Sequence, residues 1–400
     1  MDDAGTDPAK QRIVALDHIR GLAVFGILAV NAIAFAQPMD VYSNPALSPI
    51  PLSADDLTLW TVVEVFFREK FVTTFTLLFG VSVFLVGRDN NPDMPPWETP
   101  LFRRLAWLGV FGLIHGALVW HGDILLSYAA TGFVFWPWRN SHPRILIGMG
   151  LFLFLVGAAV VLLPNLTVAD GTVPEAADID GMVATMRGTF QDSLTGNFAE
   201  WRSTIIPELI DFLPTTLGLM MLGAGLFRTG FYHGERSAKL YGVLIAVAVP
   251  CLFAIAFQAR QSVVAHFPYP QAFGLYQIAN TVLCLPVALA YALVLILAGR
   301  FAVGRFLLYP LACAGRMAFT NYLTQSLIMT AIFYGGRGSD PPRFGEVNNA
   351  GLLPYVLAIW AGQLVASTVW MSLFRYGPFE WVWRCLTYRR WVGLLKTPGG

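Results

Sequence analysis

Ten stretches of this chain are apolar enough to be read as membrane crossings. They lie at about 19–36, 68–87, 102–120, 124–138, 145–164, 207–227, 240–258, 273–298, 316–334 and 351–373. A helix needs roughly 20 residues to cross a hydrocarbon layer ~30 Å thick. Inside that layer no water bonds the backbone, so spanning segments are helices or closed barrels. Runs of this length select helices. The chain is 56% hydrophobic and 13% charged, against about 25% charged in a soluble domain. The expected fold is all-α: a polytopic transmembrane helical bundle of about ten spans. The fourth span is short. Residues 53–67 set acids among Leu57, Trp60 and Val63 and predict an interfacial helix before the second span. Residues 302–314 predict another before the ninth.

The same composition excludes several function classes. Net charge is +1, and no basic stripe or zinc pattern is present, so nucleic acid is not an expected partner. Cys251, Cys284, Cys313 and Cys385 are scattered without redox or metal spacing and read as small hydrophobes. The first apolar run ends at Gln37 and Pro38 rather than at a small-x-small cleavage site. It is read as a retained first helix.

Lysine and arginine bias sets the expected orientation. With the N-terminus cytoplasmic, only Arg68, Lys70, Arg187, Arg202, Arg260, Arg337 and Arg343 of the 26 cationic residues fall outside. Lys10, Arg12, Arg20 and the remainder fall inside. Both termini are therefore expected to be cytoplasmic. The resulting division is a cytoplasmic segment 1–18, a leading transmembrane region 19–164, an external loop 165–206, a C-terminal transmembrane domain 207–374 and a cytoplasmic tail 375–400. The loop carries Asp170, Glu175, Asp178 and Asp180.

Charges kept inside hydrocarbon need water, a partner or a ligand. LDHIRGLAVFGILAVN, residues 16–31, opens with Asp17 and Arg20 and ends at Asn31. Asp17 and Arg20, three apart, share a helical face. They form either an anchoring ion pair or an anion site, with Arg20 holding a phosphate and Asp17 aiming it. The amide of Asn31 bonds another helix or a substrate. FFREKFVTTFTLLFG, residues 66–80, brings Glu69 and Lys70 to the start of the second span. Adjacent residues diverge on a helix, so each needs its own partner, although Lys70 could also snorkel to the surface.

GLIHGALVWHGDILLSYAATG, residues 112–132, offers His115, His121 and Asp123. His115 is either a packed core histidine or a base able to move a proton near neutrality. Asp123 either caps the next helix or orients a reacting group. Two histidines and one acid at this spacing make no recognised metal site. GRMAFTNYLTQS, residues 315–326, carries Arg316, Asn321 and Gln325. These either fasten helices or line a site, and Arg316 is expected on the same membrane side as Arg20. RYGPFEWVWRCLTYRR, residues 375–390, reads as an interfacial anchor with arginines toward an anionic leaflet. Its Glu380 is four residues from Arg384 and is expected to buttress it.

Taken in order over roughly 12–390, RIVALDHIRGLAVFGILAVN, EKFVTTFTLLFG, GLIHGALVWHGDILLSYA, GRMAFTNYLTQS and RYGPFEWVWR make the sequence resemble the YeiB-like family of bacterial inner-membrane proteins. The resemblance implies a multi-pass protein of the bacterial cytoplasmic membrane with a YeiB-like C-terminal domain. That family is similar in turn to transmembrane acyltransferases of the heparan-glucosaminide acetyltransferase-like and sugar O-acyltransferase-like kinds, with LDHIRG and Asn31 as the nearest point of contact. In those, an acyl-CoA donor arrives from the cytoplasm, the acceptor meets it from the other face, and a histidine moves the proton. His115 lies in no local pattern shared with that wider group.

The resulting expectation is acyl transfer from a cytoplasmic thioester to a small hydroxyl or amino acceptor, free or lipid-borne. His115 and Asp123 are the catalytic candidates, with Asn31 or Lys70 supporting the oxyanion. Asp17, Arg20, Asn31, Glu69, Lys70, Arg316, Asn321 and Gln325 are the donor or ligand candidates. Acyl-CoA is a co-substrate and no covalently bound cofactor is expected. Membrane lipids are partners, and a homodimer follows only from the frequency of two-fold symmetry. A transporter of a lipid or small metabolite is the alternative, and a membrane scaffold or receptor a third reading.

Overall fold

The computed structural model describes residues 13–88, 94–166, 179–268 and 277–396. Lys10, Arg12, Asp170, Glu175 and Asp178, used above for orientation, lie outside them. The described residues form seventeen helices: α1 (Val14–Ala36), α2 (Met39–Ser43), α3 (Ala54–Phe66), α4 (Lys70–Arg88), α5 (Pro100–Leu118), α6 (Leu125–Phe135), α7 (Pro143–Leu166), α8 (Ile179–Arg187), α9 (Phe190–Asp211), α10 (Leu213–Arg228), α11 (Ala238–Val264), α12 (Ile278–Ala298), α13 (Ala302–Leu307), α14 (Tyr309–Arg316), α15 (Ala318–Phe333), α16 (Asn349–Leu373) and α17 (Pro378–Tyr388). No strand occurs among them. The all-α membrane bundle is the observed class.

Seven stretches are long and apolar enough to cross a membrane: α1, α3–α4 together, α5, α7, α11, α12 and α16. An eighth arises if α9 and α10, bent by 55° at Phe212, act as one. Two expected spans differ. The segment 124–138 yields the 11-residue α6, stopped by a 3-10 turn at Trp136–Trp138. At 1.5 Å per residue it reaches about 16 Å. The segment 316–334 yields the 16-residue α15, about 24 Å long. Both are too short to cross alone. A helix forms where an interfacial one is expected at 53–67, as α3. Ser53 and Asp56 close its N-terminus as a capping box, satisfying amides that lack intrahelical partners. The expected loop 165–206 holds α8 and most of α9.

Lipid is as apolar as leucine, so close packing and hydrogen bonds hold such helices together. Small residues allow the approach. α4 meets α10 where Gly80 lies against the Met220 carbonyl and Gly223 against the Leu77 carbonyl. A Cβ at either glycine would overlap backbone. α1 meets α14 in the same way, through Gly21 against Leu311 and Gly315 against Asp17. Gly80→Leu is expected to force α4 from α10 and cost about 1–3 kcal/mol, read as a lower unfolding temperature in detergent. An unchanged temperature would contradict this packing. The largest buried cluster joins α1, α5, α6, α10, α15 and α17 through Phe25, Leu108, Tyr128, Met220, Tyr322 and Trp383, and the site is built at its edge.

Candidate functional site

A cavity of ≈150 Å3 opens between α1, α4, α5, α6, α15 and α17. Arg20, Arg104, Arg316 and Glu380 line one end of it, with Trp383 beside them. Val24, Ile27, Phe75, Phe79, Leu108 and Phe319 form its walls. Ile124, Leu125, Tyr128 and Tyr322 lie at the other end. Along α1, the step from Arg20 to Ile27 spans about 10 Å of helix. The cavity therefore joins three arginines to apolar walls inside the bundle.

The mouth is assembled from distant parts of the chain. Arg20 pairs with Asp17 at 3.2 Å and keeps 28% of its side chain exposed. Arg316 donates to the Arg375 carbonyl at 3.0 Å. The Arg104 guanidinium lies 3.7 Å over the Trp383 ring, and the Trp383 indole donates to the Arg104 carbonyl at 2.9 Å. Stacking of this kind fixes the plane of a guanidinium while leaving its edge N–H groups available. Three arginines converging on one opening suit a phosphate-bearing ligand.

Glu380 does not buttress Arg384. Its carboxylate accepts from the Phe319 and Thr320 amides at 2.7 and 3.1 Å and from the Thr320 hydroxyl at 2.6 Å. It thus closes the N-terminus of α15, where amide groups lack partners. Burial lifts its carboxyl above the ordinary value against those hydrogen bonds. Arg384 lies instead 5.0 Å over the rings of Tyr376 and Tyr388.

Next to the cavity, but not among its lining residues, the tight turn between α5 and α6 folds Asp123 back onto His115. His115 Nδ1 and Asp123 Oδ1 are 2.8 Å apart, with both side chains buried. The second carboxylate oxygen accepts from the Leu126 amide at 3.0 Å. Asp123 therefore caps α6 and holds the imidazole at once. A carboxylate only accepts, so Nδ1 carries a proton, and in the neutral imidazole Nε2 then presents a lone pair. Nε2 is buried without a hydrogen-bond partner among the described residues. The His115 ring lies 5.3 Å from that of Tyr322, which lines the cavity. Nearby, Trp201 packs against Gly116, and Asn197 accepts from the His121 amide at 2.8 Å. Burial pushes His121 down to about 4, so it is uncharged at neutral pH.

The other candidates lie elsewhere. Asn31 is part-buried on α1 and lines no part of this cavity. Asn321 bonds the Ala314 carbonyl and Ser367, and Gln325 bonds Gln363 at 2.8 Å. Gln363 returns bonds to the Asn321 carbonyl and Thr324. These amides fasten α15 to α16. Lys70 is buried and donates to Asn280 Oδ1 at 2.5 Å and the Glu64 carbonyl at 2.8 Å. Glu64 also accepts from Asn280 at 2.7 Å and Arg68 at 3.3 Å. Glu69 stands beside this network.

Sequence reasoning passed over Arg104, Tyr128, Tyr322, Glu64 and Asn280. Arg104 carries a sequence signal as a charge entering an apolar helix, one that also serves orientation. The tyrosines carried none, because a tyrosine in a membrane helix is ordinary until its neighbours are known.

The chain is 31% identical over 392 residues to the uncharacterized protein YeiB of Escherichia coli K12, covering 95% of this chain and 97% of that one. It is 28% identical over 421 residues to the uncharacterized protein YxaH of Bacillus subtilis 168, covering 97% of each. Residues 226–390 match a family described as a protein of unknown function, DUF418. No solved structure matches. With end-to-end similarity to YeiB and a C-terminal half of the DUF418 kind, set on a bundle of membrane-spanning helices, this chain belongs to the YeiB-like family.

Proposed function

We propose that this protein is an acyltransferase of the bacterial cytoplasmic membrane, with both termini cytoplasmic. It moves an acyl group from a cytoplasmic coenzyme A thioester to a small hydroxyl or amino acceptor. The observation that carries this reading is the His115–Asp123 dyad, 2.8 Å apart and buried, with Nε2 unpartnered among the described residues, beside a passage that begins at three arginines.

In this reading Arg20, Arg104 and Arg316 hold donor phosphates, and the apolar passage takes the acyl arm. The acceptor O–H or N–H gives its proton to His115 Nε2 as its lone pair attacks the thioester carbonyl carbon. Asp123 stabilises the imidazolium that forms. The C–S bond then breaks, and the thiolate leaves with that proton. An ester or amide and a free thiol remain. The Tyr128 and Tyr322 side chains, which line the cavity, take the place of Asn31 and Lys70 in supporting the developing oxyanion. Lys70 is committed to Asn280 and the Glu64 carbonyl, and neither Lys70 nor Asn31 lines the passage.

The test is transfer of radiolabel from acetyl-CoA to acceptors in a bacterial extract, using the purified protein in lipid nanodiscs. Arg104→Ala is expected to raise the donor KM about tenfold or more with little change in kcat. Loss of one charge-assisted contact costs about 1.5–3 kcal/mol, and uniform binding is lost in this way. A donor KM unchanged in Arg104→Ala would remove the mouth from donor binding.

Transport has a different support. The α3–α4 stretch breaks at Phe67–Glu69 beside buried charges, and broken helices with polar groups mark transport sites. Counterflow of a solute in sealed liposomes without covalent change would favour it over acyl transfer.

A further inference from the structure

Between α3 and α4 the chain turns through Phe67, Arg68 and Glu69. Glu69 has φ 65°, a left-handed conformation uncommon outside glycine. It persists where the surroundings over-determine it. His266, Phe267 and Arg389 also have positive φ, but they follow the ends of α11 and α17. Glu69 alone among these four interrupts a stretch, Ala54–Arg88, apolar enough to cross a membrane.

The cations on either side of Glu69 are engaged elsewhere. Arg68 donates to Glu64 at 3.3 Å and to the Tyr42 carbonyl at 3.2 Å. Lys70 donates to Asn280 and to the Glu64 carbonyl. The network closes on Glu64. Among the described residues, the Glu69 carboxylate has neither a hydrogen bond nor a salt bridge. Glu64, Arg68 and Lys70 are buried, whereas Glu69 keeps partial exposure. An acid within a membrane bundle, left out of the surrounding network, marks a place where charge meets a ligand.

We propose that Glu69 is the docking group for a cationic substrate, a primary ammonium compound. An ammonium presents three donors, and a carboxylate accepts them with a complementary charge. Glu69 leads directly into α4, whose Thr76 hydroxyl lies 2.7 Å from the Tyr128 hydroxyl, and Tyr128 lines the cavity. The docking claim does not depend on the reaction that follows. Where the reaction is acyl transfer, which rests on the reading above, it narrows the acceptors to amines.

The test is thermal unfolding of the purified protein with butylammonium or ethanolammonium chloride, against tetramethylammonium chloride and 1-butanol. A ligand that binds only the folded state raises the unfolding temperature. Saturable stabilisation by the primary ammonium salts alone is expected. Glu69→Gln, which keeps shape and hydrogen-bonding capacity, is expected to weaken it about tenfold or more. Glu69→Asp, which keeps the charge, is expected to retain part of it. Equal responses in wild type and Glu69→Gln overturn the proposal, as does a wild type that answers to none of the primary ammonium salts. Acetyl-CoA in the same assay separates the two readings. Ammonium stabilisation without any acetyl-CoA effect sinks acyl transfer and leaves the docking site standing.

Discussion

His115→Ala is expected to lower acyl transfer by about 10²–10⁴-fold, the usual contribution of a positioned general base. The fold should survive, because Asp123 keeps the Leu126 amide at 3.0 Å and α6 keeps its cap. Asp123→Asn is the sharper companion. An asparagine amide can donate to Nδ1, moving the imidazole proton to Nε2, where it blocks proton abstraction. In a serine protease the equivalent change costs about 10⁴ in rate. Here a comparable loss is expected with the ring still in place. The measurement is the initial rate of label transfer from acetyl-CoA, alongside unfolding temperature. Wild-type rates in His115→Ala would end the catalytic assignment, and a fully active Asp123→Asn would reduce the carboxylate to a helix cap.

Glu64→Ala is expected to be the most destabilising single change, by about 3–5 kcal/mol. Glu64 is buried and receives Arg68 and Asn280, while its backbone carbonyl receives Lys70. Truncation leaves a buried guanidinium without its counter-charge, and the Asn280 amide keeps only the Glu64 carbonyl of its two acceptors there. In lipid such groups find no water to replace the lost partner. Glu64→Gln retains the acceptor for Asn280 but not the charge and should fall between wild type and alanine. Unfolding in detergent, followed by far-ultraviolet circular dichroism, reads both. A Glu64→Ala protein as stable as wild type would mean that this network does not hold α3, α4 and α12 together.

The two variants bear on different parts of the molecule. His115 packs beside Tyr322, which lines the cavity, and losing its side chain is expected to cost rate. Glu64 sits where three helices join, where losing one costs structure. The sequence presents both only as polar residues in apolar surroundings. Hydropathy reports whether a segment prefers lipid. It does not report which side chains face one another inside.

That limit explains the uneven legibility of the chain. The helices were readable because each follows from its own composition. The capping box at Ser53 and Asp56 is local and announces α3. The ends of α6 and α15 lie within a few residues of the expected 124–138 and 316–334, and it is the turn at Trp136 and the break at Met317 that leave both too short to cross alone. Asn321 and Gln325 were noticed for being polar. Their bonds to Ser367 and Gln363 depend on α16 lying alongside α15, which no local pattern states.

What the sequence by itself determined is that this chain enters a membrane as a bundle of helices and keeps a few charged groups there. The excess of apolar residues leaves no other solvent for it, and its motifs mark it as YeiB-like. What only the tertiary structure decided is which groups act together. Arg20, Arg104 and Arg316 come from three separate helices to one mouth. His115 meets Asp123 across a turn, and Glu64 meets Asn280 across 216 residues. Transfer into lipid is a property of each segment and is written along it. Pairing inside the bundle depends on close packing and hydrogen-bond geometry between segments, and so it exists only once they have come together.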